Sequence, residues 1–227
     1  MAVAHKVSER VYIVGGAEIT DPYDCSVYLV DAGDLVLIDS GAGRSFDDLV
    51  SNIEGLGFDP GKLSTVIATH RHIDHIGALH QFQKSYGAKV VAHELDAPAI
   101  ETGRNAGAEY YGLDYAPCQV DTRICAAEEK LRFGDLDFNF VHIPGHTPGS
   151  LAVYFDLNGV RVLFGQDVHG PYLAQWGGNT ADAEKSLRKL LDLKADILCE
   201  GHFGVYQPAG NVERYIKRYL GEFEEEA

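Results

Sequence analysis

The stretch Thr69-His70-Arg71-His72-Ile73-Asp74-His75 decides how this chain is read. It sets three imidazoles and a carboxylate close together, directly after the apolar run Val66-Ile67-Ala68. Imidazole nitrogen and carboxylate oxygen are the borderline and hard ligands of divalent transition metals. A single loop histidine is usually only a polar loop residue. Four such side chains at the end of a buried strand imply a metal site.

Upstream, Val11–Val14, Ser26–Val30 and Leu35–Ile38 read as strands, the last two as a hairpin across Asp31–Asp34. Asp39-Ser40-Gly41 closes the second strand with a carboxylate and a turn residue. Ser45 and Asp48 match a capping box, ahead of helical spacing at Phe46, Leu49, Val50, Ile53 and Leu56. Residues 65–69 form the strand before the cluster, a helix follows to Tyr86, and Lys89–Ala92 is a further strand. Strands alternating with helices put helices outside a sheet.

Downstream, three more candidate ligands each follow a strand. His146 lies in Pro144-Gly145-His146-Thr147-Pro148-Gly149, Asp167 follows Val162-Leu163-Phe164, and His202 follows Leu198-Cys199. Side chains at strand ends converge on one edge of a sheet, where they can share a ligand. Residues 96–130 have weaker periodicity, with glycines, Pro117, Tyr110, Tyr111 and Tyr115, and read as an inserted loop or lid of a single domain. Leu136–Val141, Leu151–Phe155 and Val160–Phe164 resume the strands, with an Asn158-Gly159 turn. A helix over 181–193, a short strand at Ile197-Leu198 and a helix over 212–220 complete the chain. Glu222–Glu226 reads as a solvated tail.

The pattern His70-x-His72-x-Asp74-His75, then His146, Asp167 and His202, resembles the metallo-β-lactamase-fold hydrolases. The resemblance spans most of the chain and includes Asp39-Ser40-Gly41. It implies a four-layer αββα sandwich with the site at the shared edge of two sheets. It also implies two divalent ions, with zinc favoured and iron or manganese compatible. His70, His72 and His146 would bind the first, Asp74, His75 and His202 the second, and Asp167 would bridge them. Asp39 would orient a ligand imidazole, that of His70. His169 and Tyr172, just beyond Asp167, are candidates for a substrate pocket, while His5, His80, His93 and His142 read as surface or satisfied core residues.

Such a pair of ions suits hydrolysis. A divalent metal lowers the pKa of water towards about 7. The expected reaction is attack of metal-bound hydroxide on the carbonyl of a small ester, thioester or lactone, with Asp74 or Asp167 taking up a proton. The glyoxalase II-like and lactonase-like branches fit the ligand run. The short stretch after His202 lacks the basic helical extension with which glyoxalase II holds glutathione. Two other classes stay open: a mononuclear iron persulfide dioxygenase, using counterparts of His70, His146 and Asp167, and a non-catalytic metal-binding module.

Composition narrows the setting. A net charge of −15 opposes nucleic-acid phosphates and anionic membranes alike. No run is long and apolar enough for a membrane helix, and Met1–Arg10 does not read as a signal peptide. Cys25, Cys118, Cys125 and Cys199 form no C-x-x-C pair and read as free thiols of a cytoplasmic protein. A Cys118–Cys125 bridge stays open, and Cys199 reads as a buried apolar residue. The expected partner is a small molecule, and a homodimer is compatible with the sequence.

Overall fold

A computed structural model describes residues 2–225. Its first half runs β1 (His5–Ser8), β2 (Val11–Gly15), β3 (Val27–Ala32), β4 (Asp34–Ile38), α1 (Phe46–Gly55), β5 (Leu63–Ile67), α2 (Ile73–Ile76), α3 (Leu79–Tyr86), β6 (Lys89–His93), α4 (Ala97–Thr102), α5 (Ala108–Tyr111) and β7 (Thr122–Ile124). The second half runs β8 (Glu128–Phe133), β9 (Leu136–His142), β10 (Leu151–Leu157), β11 (Val160–Gln166), α6 (Thr180–Asp192), β12 (Ile197–Glu200), β13 (Val205–Tyr206) and α7 (Ala209–Glu225). The first sheet has the order β1-β2-β3-β4-β5-β6-β7 and the second β13-β12-β11-β10-β9-β8.

Side-chain alternation builds the layers. Successive residues of a strand point to opposite faces. In β3, Leu29 packs on the helices while Tyr28 and Val30 face the other sheet; in β4, Leu35 and Leu37 go outward, Val36 and Ile38 inward. In β11, Val162 and Phe164 face inward and Leu163 outward. Three apolar layers result. One joins α1 and α3 to the first sheet through Leu49, Ile53, Leu79 and Phe82. The central one joins the sheets through Phe138, Phe140, Phe155 and Phe164. The third joins α6 and α7 to the second sheet through Leu187, Leu190, Ile216 and Leu220. This is the four-layer αββα sandwich expected from the resemblance.

Several local expectations change. The Ser45 hydroxyl makes no cap for α1; it donates to Asp24, which also accepts from Thr20 and from the Ala42 amide. The buried carboxylate orients the hydroxyl as its donor, and Ser45 Oγ accepts from no N–H of the first turn. Strands β1, β8 and β13 were not legible: β8 alternates but is built largely of charged residues, and β13 has only two residues. Residues 96–130 are not loop throughout, because β7 pairs with β6 and β8 with β9. The tail expected from Glu222 instead continues α7 to Glu225, and Glu226 lies outside the described residues. All four cysteines are free, and Cys199 sits in the core between the sheets.

Candidate active site

Both halves of the sandwich deliver ligand candidates to one edge. The cluster after β5 enters α2, a single turn whose Ile73 and Ile76 are fully buried. Residues three apart lie on one face of a helix, so these isoleucines anchor the turn and leave Asp74 and His75 for the site. Ser40 locks it, its amide and hydroxyl both donating to the His75 carbonyl at 2.7 and 2.9 Å. Asp39 at the end of β4 has φ 63° and Gln166 at the end of β11 φ 52°. Non-glycine residues adopt this region at a cost and concentrate at functional sites.

All seven ligand candidates come together, in two groups. His72 Nδ1 lies 3.1 Å from His70 Nε2 and 2.8 Å from His146 Nε2. Asp167 Oδ2 is 3.3 Å from His146 Nε2 and 4.0 Å from His70 Nε2. In the second group, His75 Nε2 and His202 Nε2 are 3.3 Å apart, and Asp74 Oδ2 is 3.6 and 3.3 Å from them. Asp167 joins this group too, Oδ1 at 3.3 Å from His75 Nε2 and Oδ2 at 3.4 Å from His202 Nε2.

The outer nitrogens fix what points inward. His146 Nδ1 faces the Pro171 carbonyl at 2.9 Å, so it carries hydrogen and Nε2 carries a lone pair. His75 Nδ1 faces Asp39 Oδ2 at 2.8 Å, with the same result. The Thr69 hydroxyl donates to Asp39 and so accepts from His70 Nδ1 at 3.2 Å. In the first group the lone pairs of His70 Nε2 and His146 Nε2 converge with His72 Nδ1 within about 3 Å, a crowding of nitrogens that a cation between them would relieve. Tetrahedral ligands with metal–nitrogen bonds of about 2.0–2.1 Å sit roughly 3.3 Å apart. Asp167 Oδ1 is buried without a hydrogen-bond partner, which also suits a cation. The donor set therefore fits metal ions.

Electrostatics agree. Burial pushes His72 down to about 3 and lowers His70 and His146, so all three stay neutral and ligand-competent. Around Asp167 burial is outweighed by His75, His202 and His146, which hold its carboxyl well below the usual range. Against the effect of burial, Asp167 and Asp74 push His202 up to about 10, a sign that this half attracts positive charge.

Two sequence expectations are corrected. Asp39 orients His75, not His70; the Thr69 side chain stands between Asp39 and His70 and relays the contact. Tyr172 does not line the cavity above the ligands. Its hydroxyl donates to the Val168 carbonyl at 2.6 Å and its ring packs against Phe223. His169 does line the cavity, with Nδ1 2.8 Å from Glu200 Oε1. The tyrosines divide: Tyr110 and Tyr111 line the cavity, whereas Tyr115 packs inward and donates to the Ile100 carbonyl.

Sequence reasoning missed two buried carboxylates. Asp96 accepts from the Arg71 amide, the Gly149 amide and the Thr147 hydroxyl at 3.1, 3.0 and 2.6 Å, tying the His70–His72 loop to the His146 loop. Glu200 accepts from the His202 and Phe203 amides at 2.6 and 2.8 Å and holds His169 with its other oxygen. Asp96 opens the stretch read as an inserted loop, and nothing in the sequence distinguished it from an ordinary loop carboxylate.

A family model described as the metallo-beta-lactamase superfamily matches residues 20–202. The chain belongs to the metallo-β-lactamase superfamily. It is a metal-dependent hydrolase of that superfamily. It is 28% identical over 201 residues to the hydroxyacylglutathione hydrolase GloC of Haemophilus influenzae, covering 84% of this chain and 90% of that one. It is 28% identical over 246 residues to the acyl-coenzyme A thioesterase MBLAC2 of Gallus gallus, covering 94% and 82%. In fold it is similar to a metallo-beta-lactamase from Cronobacter sakazakii, with a TM-score of 0.82 and 20% identity over 100% of this chain and 97% of that one. No helix among the described residues is long and apolar enough to cross a membrane.

Proposed function

We propose that this superfamily member is a dinuclear hydrolase of a small ester, thioester or lactone. The observation that carries the reading is the shared carboxylate: Asp167 brings Oδ2 within 3.3 Å of His146 and 3.4 Å of His202, and Oδ1 within 3.3 Å of His75. In this reading His70, His72 and His146 hold one divalent ion, Asp74, His75 and His202 the other, and Asp167 both. Bound there, the ions would supply Lewis acidity to a water and to the substrate's carbonyl oxygen. Zinc is the favoured identity; iron and manganese suit the same donors.

The chain's own residues do the rest. Asp39 holds the His75 tautomer, which keeps Nε2 available. Asp74 and Asp167 stay ionised and can accept the proton that water loses as it adds to the carbonyl. Water then replaces the alcohol or thiol: the acyl carbon gains oxygen, the carbon–oxygen or carbon–sulfur bond breaks, and the leaving atom takes a proton. The cavity above, of about 540 Å³, suits a small molecule. Four free thiols support a cytoplasmic setting.

The test pairs elemental analysis of the purified protein with a panel of esters, lactones, thioesters and phosphoesters. Two ions per chain and turnover of a carbonyl substrate are expected. One iron per chain with oxygen consumption would favour a dioxygenase, and metal without any turnover a binding module; either contradicts the proposal.

A further inference from the structure

Two aromatic walls rise from the ligand groups to the mouth of the cavity. On one side the Trp176 ring lies 6.3 Å from that of His72 and 5.9 Å from that of Tyr110. On the other, His169 lies 5.3 Å from His202 and 4.6 Å from Phe203. The outer members are exposed although apolar: Tyr110 is 63% and Phe203 57% accessible. Exposed apolar surface grouped at the opening of a pocket marks a site that is covered when ligand binds. Tyr110 rides on α5, a single turn flanked by Gly107 and Gly112 at positive φ, so this wall can adjust to what it covers.

Charge tells what kind of molecule fits. Outside the ligand candidates, Arg71 is the one Lys or Arg among the described lining residues, against Glu109. Arg71 is turned into the protein: its guanidinium donates to the Trp176 carbonyl at 3.1 Å, lies 3.8 Å from Asp96, and has its Nε buried. No other lining Lys or Arg stands at the mouth to meet the remote carboxylates of glutathione or the phosphates of coenzyme A.

We propose that the substrate carries an uncharged, apolar acyl chain lying between these walls, that Trp176, Tyr110 and Phe203 select its length, and that its leaving group is not a polyanion. This rests on the hydrolase reading above and adds the substrate class to it. Each methylene moved from water to an apolar wall strengthens binding by up to about fourfold.

Trp176 is the chain's one tryptophan, so its fluorescence reports this cavity directly. The probes are S-alkyl thioethers of N-acetylcysteamine, from methyl to octyl, which lack a scissile carbonyl and bind without turnover. In titrations of the metal-loaded protein, affinity should rise steadily with alkyl length, and S-octylglutathione should bind at least about tenfold more weakly than its neutral counterpart. Tyr110→Ala and Phe203→Ala should flatten the length dependence; a merely destabilised variant would lose affinity equally at all lengths. Length-independent binding, or preference for the glutathione conjugate, overturns the proposal. Hydrolysis of S-octanoyl-N-acetylcysteamine is measured beside it. Length-dependent binding without turnover would contradict the hydrolase reading and leave the apolar subsite standing.

Discussion

Asp39 shows how much one side chain can organise. One oxygen accepts from the Thr69 amide, and the other from Thr69 Oγ1 and His75 Nδ1, each at 2.8 Å. Asp39→Ala should lower metal affinity about 10- to 100-fold, the usual cost of losing the partner of a ligand histidine. A chelator competition reads this, and unchanged affinity would contradict the orienting role. Gly201 is a second case, where the absence of a side chain matters. A Cβ there would collide with the Asp167 carboxylate. Gly201→Ala should therefore displace Asp167 and reduce metal content without removing a ligand; full metal occupancy in the variant would contradict this. The ligand candidates themselves were legible because they sit at dense or glycine-flanked positions after apolar runs. The partner of Asp39 was not, since sequence order does not tell which imidazole a strand-end carboxylate will meet.

At the scale of elements, the site is a set of loops fastened to one another. Asp96, fully buried before α4, is the fastening between the turn entering α2 and the loop after β9. Asp96→Ala would leave the Arg71 and Gly149 amides without an acceptor and the Thr147 hydroxyl with Ser150 Oγ alone, at about 1–3 kcal/mol for each buried unpaired group. The urea midpoint should fall accordingly and metal content with it, and a variant as stable as the parent would refute the fastening. Beside it, His93 stacks on His142 with ring centroids 3.9 Å apart, and His142 Nε2 bonds the Pro148 carbonyl of the same loop. Burial and the His142 charge push His93 down to about 4 from 6.5. Between these values the unfolded chain binds a proton that the folded chain refuses. Its contribution is thus complete above pH 6.5 and is lost as pH falls towards 4, at up to about 1.4 kcal/mol per pH unit. Urea titrations at pH 7 and 5 should show this loss in the parent and less of it in His93→Phe; parallel losses would contradict it. Long amphipathic elements such as α6 were legible from periodicity. The capping box at Ser45 was not a reliable guide, because a buried acceptor three-dimensionally close to Ser45 lies far from it in the chain.

At the scale of the whole molecule, the fold is two sheets whose facing residues form one core, with helices closing each outer face. Apolar runs bounded by turn residues made the strands readable from β2 to β6 and from β9 to β12, and the family resemblance supplied the layers. The edge strands were not readable, since an edge needs fewer apolar residues. The site belongs to neither half alone. His70, His72, Asp74 and His75 follow β5 of the first sheet, while His146, Asp167 and His202 follow β9, β11 and β12 of the second. Asp167 is the residue at which the two halves share their charge. The most direct measurement of the account is therefore metal content per chain in the parent and in Asp167→Ala, taken with the rate on an ester or thioester that the parent turns over. The account predicts two ions in the parent, at least one lost in the variant, and loss of activity; an Asp167→Ala protein with unchanged metal content and parental rates would contradict it.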